Sequence, residues 1–350
     1  MTNTDGSPLL GTSELPRWDD EIAGEDLILE VKNLKKYFPV RSAMLKRRIG
    51  WIKAVDGVSF TVKKGEIFGI VGESGCGKST LGKTILGIYR PNEGSVVFKG
   101  DAITGLPKKK AQKVREGLQY VYQDAGASLD PMWIIGKTLR EPLLIHTRLP
   151  KAEIEEKIRT VLSAAGLRGE HLSRYPHEFS GGQQRRLGLA RILTLNPGLI
   201  IFDEPTSGLD VSVQATILKL LKKLAKDFDL TYILISHNLA VIRMMCRRVG
   251  VMYLGRLMEI GDAEEIFESP RHPYTKFLLA AIPEPGKRKE EVILKGEPPS
   301  PENLPIGCRF WPRCPYTETI CTEKEPELKN AGNNHAIACH FGSQKEFSSH

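Results

Sequence analysis

The sequence predicts an α/β fold built on a mainly parallel core sheet, and three observations predict it. Short, nearly continuous apolar runs rich in β-branched residues alternate with helical patterns, as strands buried on both faces do. One such run passes directly into a glycine-rich loop ending in Lys-Ser and then into a helix. Another closes on an acidic pair, at the strand edge where open α/β sheets bind ligands.

The elements follow in order along the chain. Residues 1–27, MTNTDGSPLLGTSELPRWDDEIAGEDL, are polar and rich in Gly, Pro and acid. They lack a basic start before an apolar run, so they read as a flexible extension rather than a signal peptide. Strands are predicted at EIFGIV (66–71), LQYVYQ (118–123), LIIF (199–202), YILIS (232–236) and VGVMYL (249–254). A helix is expected from Pro150 to Gly166, because Ile154, Ile158, Val161, Leu162 and Ala165 fall on one stripe. Residues 132–147 and 212–226 carry similar patterns. Near position 283 the texture changes to IPEPGKRKE and GEPPSPENLPIG, which read as extended linkers. Four of the six cysteines come after them, so the tail reads as a separate small unit.

Composition sets outer limits. The 350 residues are 41% hydrophobic and 26% charged, ordinary for a globular protein with a real core. No stretch approaches the roughly 18 consecutive apolar residues that span a bilayer, and a cytoplasmic location is expected. The net charge is +8, with basic clusters at 46–48 and 108–110. These fit either solvated surface or proximity to something anionic, a membrane face or nucleic acid.

The chemistry begins at VGESGCGKST (71–80). Gly72, Gly77, Lys78 and Ser79 occupy the fixed places of G-x-x-x-x-G-K-[ST], and Ser74, Gly75, Cys76 and Thr80 complete the loop. Glycines let backbone N–H groups turn inward around a phosphate, and the helix N-terminus adds partial positive charge. Lys78 can reach the outer phosphates and the Ser79 hydroxyl can ligate Mg²⁺. Cys76 reads as a small filler. In LIIFDEPTSGLD, Asp203 fits the metal's shell, while Glu204, pointing the other way, fits a group that polarises the attacking water. His237, ending YILISH at the same predicted edge, could hydrogen-bond a γ-phosphate. In YPHEFSGGQQRRLGLAR (175–191), Ser180, Gly181, Gly182 and Gln183 open a helix and form a second phosphate-binding device. One phosphate rarely needs two such devices. A dimer explains both: each ATP lies between one chain's phosphate loop and the other's serine-glycine segment.

In this order the motifs resemble the ATP-binding-cassette (ABC) ATPases over residues 28–340. The resemblance makes Gly72–Ser79 the Walker A motif, Gln123 the Q-loop glutamine and a ligand of Mg²⁺ with Ser79 and Asp203, and Ser180–Gln183 the signature. It makes Leu199–Asp203 the Walker B strand, Glu204 the catalytic glutamate and His237 the switch histidine. Ser207, Gly208, Leu209 and Asp210 resemble the D-loop, reading SGLD where SALD is commoner, and Tyr37 sits where the family stacks an aromatic on adenine, with Phe38 as the fallback. The implied fold is a P-loop NTPase cassette over 28–270 with an antiparallel β subdomain, an inserted helical subdomain at about 124–195, a Cys-rich extension over 271–342 and a tail over 343–350.

KYFPV, AVDGVSF, YPHEFSGGQ, LDVSVQA, HPYTKFLL and GCRFWPRCPY together resemble the ATPase subunits of dipeptide and oligopeptide importers. That implies an ATPase at the cytoplasmic face of the membrane, peripheral to it. Its partners would be a second, unlike ABC ATPase, two transmembrane permease subunits and, indirectly, an extracytoplasmic substrate-binding protein, with no nucleic acid. Relatives also carry oligosaccharides or nickel. The competing classes are a soluble ABC ATPase of DNA repair or translation and a metal- or redox-sensing regulator. Against the repair type, Lys78 and Asp203 are 125 residues apart with no sustained heptads between them. Against the translation type, the chain carries one cassette. Against the regulator, the hydrolytic residues are intact.

The cofactors expected are ATP and Mg²⁺, and one more. Cys308, Cys314, Cys321 and Cys339 are separated by 5, 6 and 17 residues. Disulfides are not expected in a cytosolic protein. Four thiolates can bind Zn²⁺ or an iron–sulfur cluster, and this spacing matches neither the usual zinc ribbons nor the common ferredoxin runs. The resemblance implies a [4Fe-4S] cluster on these four residues, with Zn²⁺ as the alternative.

Overall fold

The computed structural model describes residues 27–42, 48–122, 129–281, 296–332 and 334–342. The N-terminal extension, Gln123, most of the Pro-rich linker and the tail after 342 lie outside them. The chain opens with two long strands, β1 (Leu27–Arg41) and β2 (Arg48–Lys63). Then come β3 (Ile67–Val71), helix α1 (Lys78–Ile85), β4 (Glu93–Phe98), β5 (Asp101–Ala102), α2 (Lys108–Gly117) and β6 (Leu118–Val121). Three helices follow, α3 (Ile135–His146), α4 (Lys151–Ala164) and α5 (Gly181–Leu193). The chain then returns through β7 (Leu199–Asp203), α6 (Val211–Asp227), β8 (Thr231–Ile235), α7 (Leu239–Met245), β9 (Arg248–Tyr253) and β10 (Arg256–Asp262). It ends with α8 (Ala263–Glu268), α9 (Pro273–Ala280), α10 (Thr319–Glu323), β11 (Lys329–Asn330) and β12 (Ala336–Ile337).

Two sheets result. One is antiparallel, in the order β2-β1-β4-β5, and answers to the expected β subdomain. The other runs β11-β12-β10-β9-β3-β8-β7-β6. Within it β9, β3, β8, β7 and β6 are parallel, as the continuous apolar runs predict. All five residues of β7 and of β8 are buried, so both faces of these strands are covered. Strand order in this sheet puts β3, β8 and β7 side by side, which brings the phosphate loop, His237 and the acidic pair to one edge.

The inserted helices form as their patterns require. Ile154, Ile158, Val161 and Leu162 are the buried stripe of α4. The helix stops in a Schellman turn: Gly166 takes φ +71°, its N–H donates to Ser163 O at 2.9 Å, and Leu167 N–H donates to Leu162 O at 3.0 Å. No helix among the described residues is long and apolar enough to cross a membrane.

The structure corrects the reading of the cysteine tail as a separate unit. Strand β12 pairs antiparallel with β10 and continues the core sheet. Phe310, Cys308 and Cys321 belong to the same apolar core as β7 and α6. Beneath the junction, fully buried His335 contacts fully buried Glu259 through Nε2 and Oε1 at 2.6 Å. The same Glu259 carboxylate accepts the N–H groups of Arg271 and His272. A tail too short to bury its own core gains one by docking on the larger domain. The Pro-rich composition before it marks a long connection and carries no sign of where its end docks.

Candidate functional site

The loop after β3 follows from steric necessity. A Cβ on Gly72 would lie 2.1 Å from Met252 O, and one on Gly77 would lie 2.0 Å from Ala54 O, so only glycine allows these approaches. Gly77 also takes φ +106° and starts α1. Lys78, which is buried, folds back so that Nζ donates to Gly72 O at 2.7 Å and Glu73 O at 2.9 Å. Cys76 is packed in the core, and burial holds its thiol above the usual range against the pull of the Lys78 ammonium, so it is a filler. Ser74, Gly75, Cys76, Gly77, Lys78, Ser79 and Thr80 line a cleft of about 1170 Å³, and Glu204, Ser207 and His237 belong to the same wall.

The two carboxylates diverge as strand alternation requires. Asp203 ends β7 with one oxygen accepting the Ser79 hydroxyl at 2.9 Å and the other accepting the Tyr120 hydroxyl at 2.6 Å. Tyr120 was not singled out by the sequence, although its place in LQYVYQ puts it on the strand beside β7. Burial first, and the hydrogen bond to Asp203 second, hold its hydroxyl firmly protonated, so it can only donate to that carboxylate. Glu204 takes a left-handed φ of +54°, which costs on the order of 1–2 kcal/mol for a residue with a side chain. Its carboxylate accepts the backbone N–H of His237 at 3.0 Å and meets His237 Nδ1 at 2.7 Å, leaving Nε2 for another partner.

Ser180 caps α5 in a reciprocal capping box. Its hydroxyl accepts the Gln183 N–H at 3.4 Å, and the Gln183 side chain accepts the Ser180 N–H at 3.0 Å. Ser180 and Gly181 are exposed, and none of Ser180–Gln183 lines the phosphate cleft of the same chain. Arg185, one turn into α5, donates to Pro205 O at 2.7 Å and Ser207 O at 2.8 Å, tying this helix to the segment after the acidic pair. In that segment Ser207 reaches the cleft, Gly208 turns at φ +71°, Leu209 is partly buried and Asp210 precedes α6. Gln123 lies outside the described residues. Phe38 lines the cleft, whereas Tyr37, its neighbour on β1, faces away and donates its hydroxyl to Asp56. The strand's alternation makes only one of the two available to the cleft.

The four tail cysteines come together. Cys308, Cys314, Cys321 and Cys339 line one small cavity together with Phe310 and Phe341, and all four are free thiols. Burial pushes the Cys308 thiol up to about 12 and the Cys314 thiol up to about 11, and repulsion from the neighbouring cysteines adds to both. Burial raises Cys339 as well. Among the described residues no group of three or more His, Cys, Asp or Glu side chains is placed to hold a metal ion. Loading the four thiols with any metal group would require loss of their protons.

Comparison with known proteins agrees with the cleft. Residues 55–207 match the family described as ABC transporter, and residues 258–321 match the oligopeptide/dipeptide transporter C-terminal region. The chain is 50% identical over 326 residues to the oligopeptide transport ATP-binding protein AppF of Bacillus subtilis (strain 168), covering 92% of this chain and 99% of the relative. It is 42% identical to the di/tripeptide transport ATP-binding protein DppF of Pseudomonas aeruginosa (strain UCBPP-PA14), covering 91% and 99%. Among solved structures, it superposes on a component of the Clostridium perfringens ABC transporter complex cbiONQ with a TM-score of 0.61 at 29% identity, over 70% of this chain and 92% of that one. A dimeric ATP-binding cassette in a post-hydrolysis state, bound to ADP and Pi, matches with a TM-score of 0.59 at 28% identity, over 67% and 99%.

Proposed function

Because the chain belongs to the ATP-binding proteins of the ABC transporter family, within the oligopeptide/dipeptide transport group, we propose that it hydrolyses ATP to power import of dipeptides or oligopeptides. It works at the cytoplasmic face of the membrane, paired with a second, unlike ABC ATPase and bound to two transmembrane permease subunits that receive cargo from an external binding protein.

One observation carries the shared-site reading. The phosphate loop, Glu204 and His237 line one cleft, while the capped helix end at Ser180–Gln183 stands outside it with Ser180 and Gly181 exposed. Each chain therefore offers half of two sites. Lys78 and the loop N–H groups hold the outer phosphates, and Ser79, with Asp203 behind it, holds Mg²⁺. Glu204 accepts a proton from the attacking water and His237 steadies the γ-phosphate. Ser180–Gln183 close on the partner's ATP, and Ser207–Asp210 lie between the two sites. Phe38 is the aromatic placed to stack on adenine. A groove lined by Tyr122, Pro142 and Ile145 receives a permease helix. ATP binds the closed pair better than the open one, and that difference is what drives the permeases.

We also propose that the cysteine cradle takes a [4Fe-4S] cluster, with Zn²⁺ as the alternative, a reading supported by four free thiols around one cavity. Cys308, Cys314, Cys321 and Cys339 would hold such a cluster, which would tie α10 and the segment after β12 to the segment around Cys308. Co-expression with candidate permeases tests the transport reading: membrane subunits should co-purify, and proteoliposomes should take up peptide only with ATP. Recovery of nucleic acid or ribosomes in place of membrane subunits would overturn it.

A further inference from the structure

Two arginines in the cysteine-rich extension bond to residues beside the nucleotide cleft, and each adjoins a cradle cysteine in the chain. Arg313, next to Cys314, is nearly buried and grips Glu73 of the phosphate loop with both terminal nitrogens, Nη1 to Oε2 at 2.9 Å and Nη2 to Oε1 at 3.1 Å. Glu73 is also held through its backbone, whose N–H donates to the hydroxyl of buried Tyr274 at 3.0 Å. Arg309, next to Cys308, donates to the Asp56 carboxylate and to Leu254 O, and its Nε reaches Glu325 at 3.0 Å. The turn it holds is the one that touches the far side of the loop: Gly255 N–H donates to Cys76 O at 2.8 Å. The extension thus grips the phosphate loop at Glu73 directly and at Cys76 through one backbone step.

The conformation of such a loop is what sets phosphate affinity, because its N–H groups must all point inward at once. A bidentate guanidinium–carboxylate pair fixes position and angle together, which one ammonium contact does not. We propose that Arg313, backed by Arg309, is a positioning residue of the ATP site, and that filling of the cysteine cradle raises nucleotide affinity by holding these arginines in place. This rests on the ATPase reading above. The sequence alone does not show it, since Glu73 occupies a free position of the loop motif and Arg313 lies 240 residues away.

The test is a titration of the full chain, purified anaerobically, with a fluorescent ATP analogue and Mg²⁺, alongside its iron content. Arg313→Gln should weaken binding by about tenfold at unchanged iron content, and Arg313→Lys should recover part of the loss. Glu73→Gln, which lies outside the extension, should weaken binding similarly, and the double variant should be no worse than either single one. Cys314→Ser should weaken binding in the Arg313 chain and add nothing to Arg313→Gln. Wild-type affinity in Arg313→Gln or Glu73→Gln, or losses that multiply in the double variant, would overturn the inference and leave the ATPase reading standing. A wild-type chain that binds no Mg-nucleotide would defeat both.

Discussion

Tyr120 and Ser79 hold the two oxygens of one carboxylate: the Tyr120 hydroxyl donates to Asp203 Oδ2 at 2.6 Å and the Ser79 hydroxyl to Oδ1 at 2.9 Å. Asp203 is thereby held at the end of its strand from both sides. Ser79 and Asp203 would together hold Mg²⁺, and the Tyr120 hydroxyl would keep the aspartate aimed.

Tyr120→Phe should therefore weaken use of Mg²⁺ without unfolding the chain. A hydrogen bond to a charged group contributes about 1.5–3 kcal/mol, so the Mg²⁺ concentration for half-maximal turnover should rise roughly tenfold or more. Turnover against Mg²⁺ at saturating ATP reads this directly, and an unchanged Mg²⁺ profile would remove Tyr120 from the site.

Acid should loosen the docking of the extension in the metal-free chain. Burial drives the His272 imidazole down to about 4, against the raising influence of Glu259 and of a hydrogen bond to Ala338. Its Nδ1 accepts the Tyr274 N–H at 2.9 Å, so the ring must stay neutral. The unfolded chain binds this proton near 6.5 and the folded chain resists it. The stability is therefore whole above about 6.5 and is lost as pH falls through about 4, on the order of 3 kcal/mol. Denaturant midpoints between pH 7 and 4 should fall in His272 chains and fall less in His272→Gln. Parallel profiles would contradict the assignment.

Loading of the cradle should run the opposite way in pH. The Cys308 and Cys314 thiols hold their protons to about 12 and about 11 in the metal-free chain, and ligands must lose them. Anaerobic reconstitution with iron and sulfide should yield brown protein, faster as pH rises from 7 to 9, and Cys→Ser at any of the four positions should sharply lower its iron. Colourless protein with one stoichiometric zinc would give the site to zinc.

Much of this architecture was legible because its causes are local. The core strands read as buried from unbroken apolar runs, and α4 from a stripe closed by Gly166. Gly72, Gly77, Lys78 and Ser79 announce their loop because backbone must approach phosphate closely there. Residues whose meaning depends on long-range packing were not legible. Tyr120 and Arg185 act through atoms of β7 and the segment after it, and neither spacing nor composition distinguishes them from core filler or a surface cation. Tyr37 was favoured over Phe38, yet which neighbour on β1 faces the cleft depends on the strand's register, and register shifts interrupt the β1–β2 pairing on both sides of these residues. The docked tail escaped notice because its two-residue strand β12 is too short to carry a periodic pattern.

The isolated subunit should hydrolyse ATP poorly, because its Ser180–Gln183 segment does not line its own cleft. Activity should rise severalfold or more when the paired ATPase and permeases are added. Full activity in a dilute sample shown to be monomeric would refute the shared site.

The central claim, that Glu204 acts on water in an ATP site shared between two cassettes, is tested most directly by Glu204→Gln in the assembled complex. The amide keeps the size and the contact to His237 but accepts a proton poorly, so ATP binding should persist, turnover should fall by about a hundredfold or more, and ATP-bound closed pairs should accumulate. Turnover near wild type, with no accumulation of the closed pair, would contradict it.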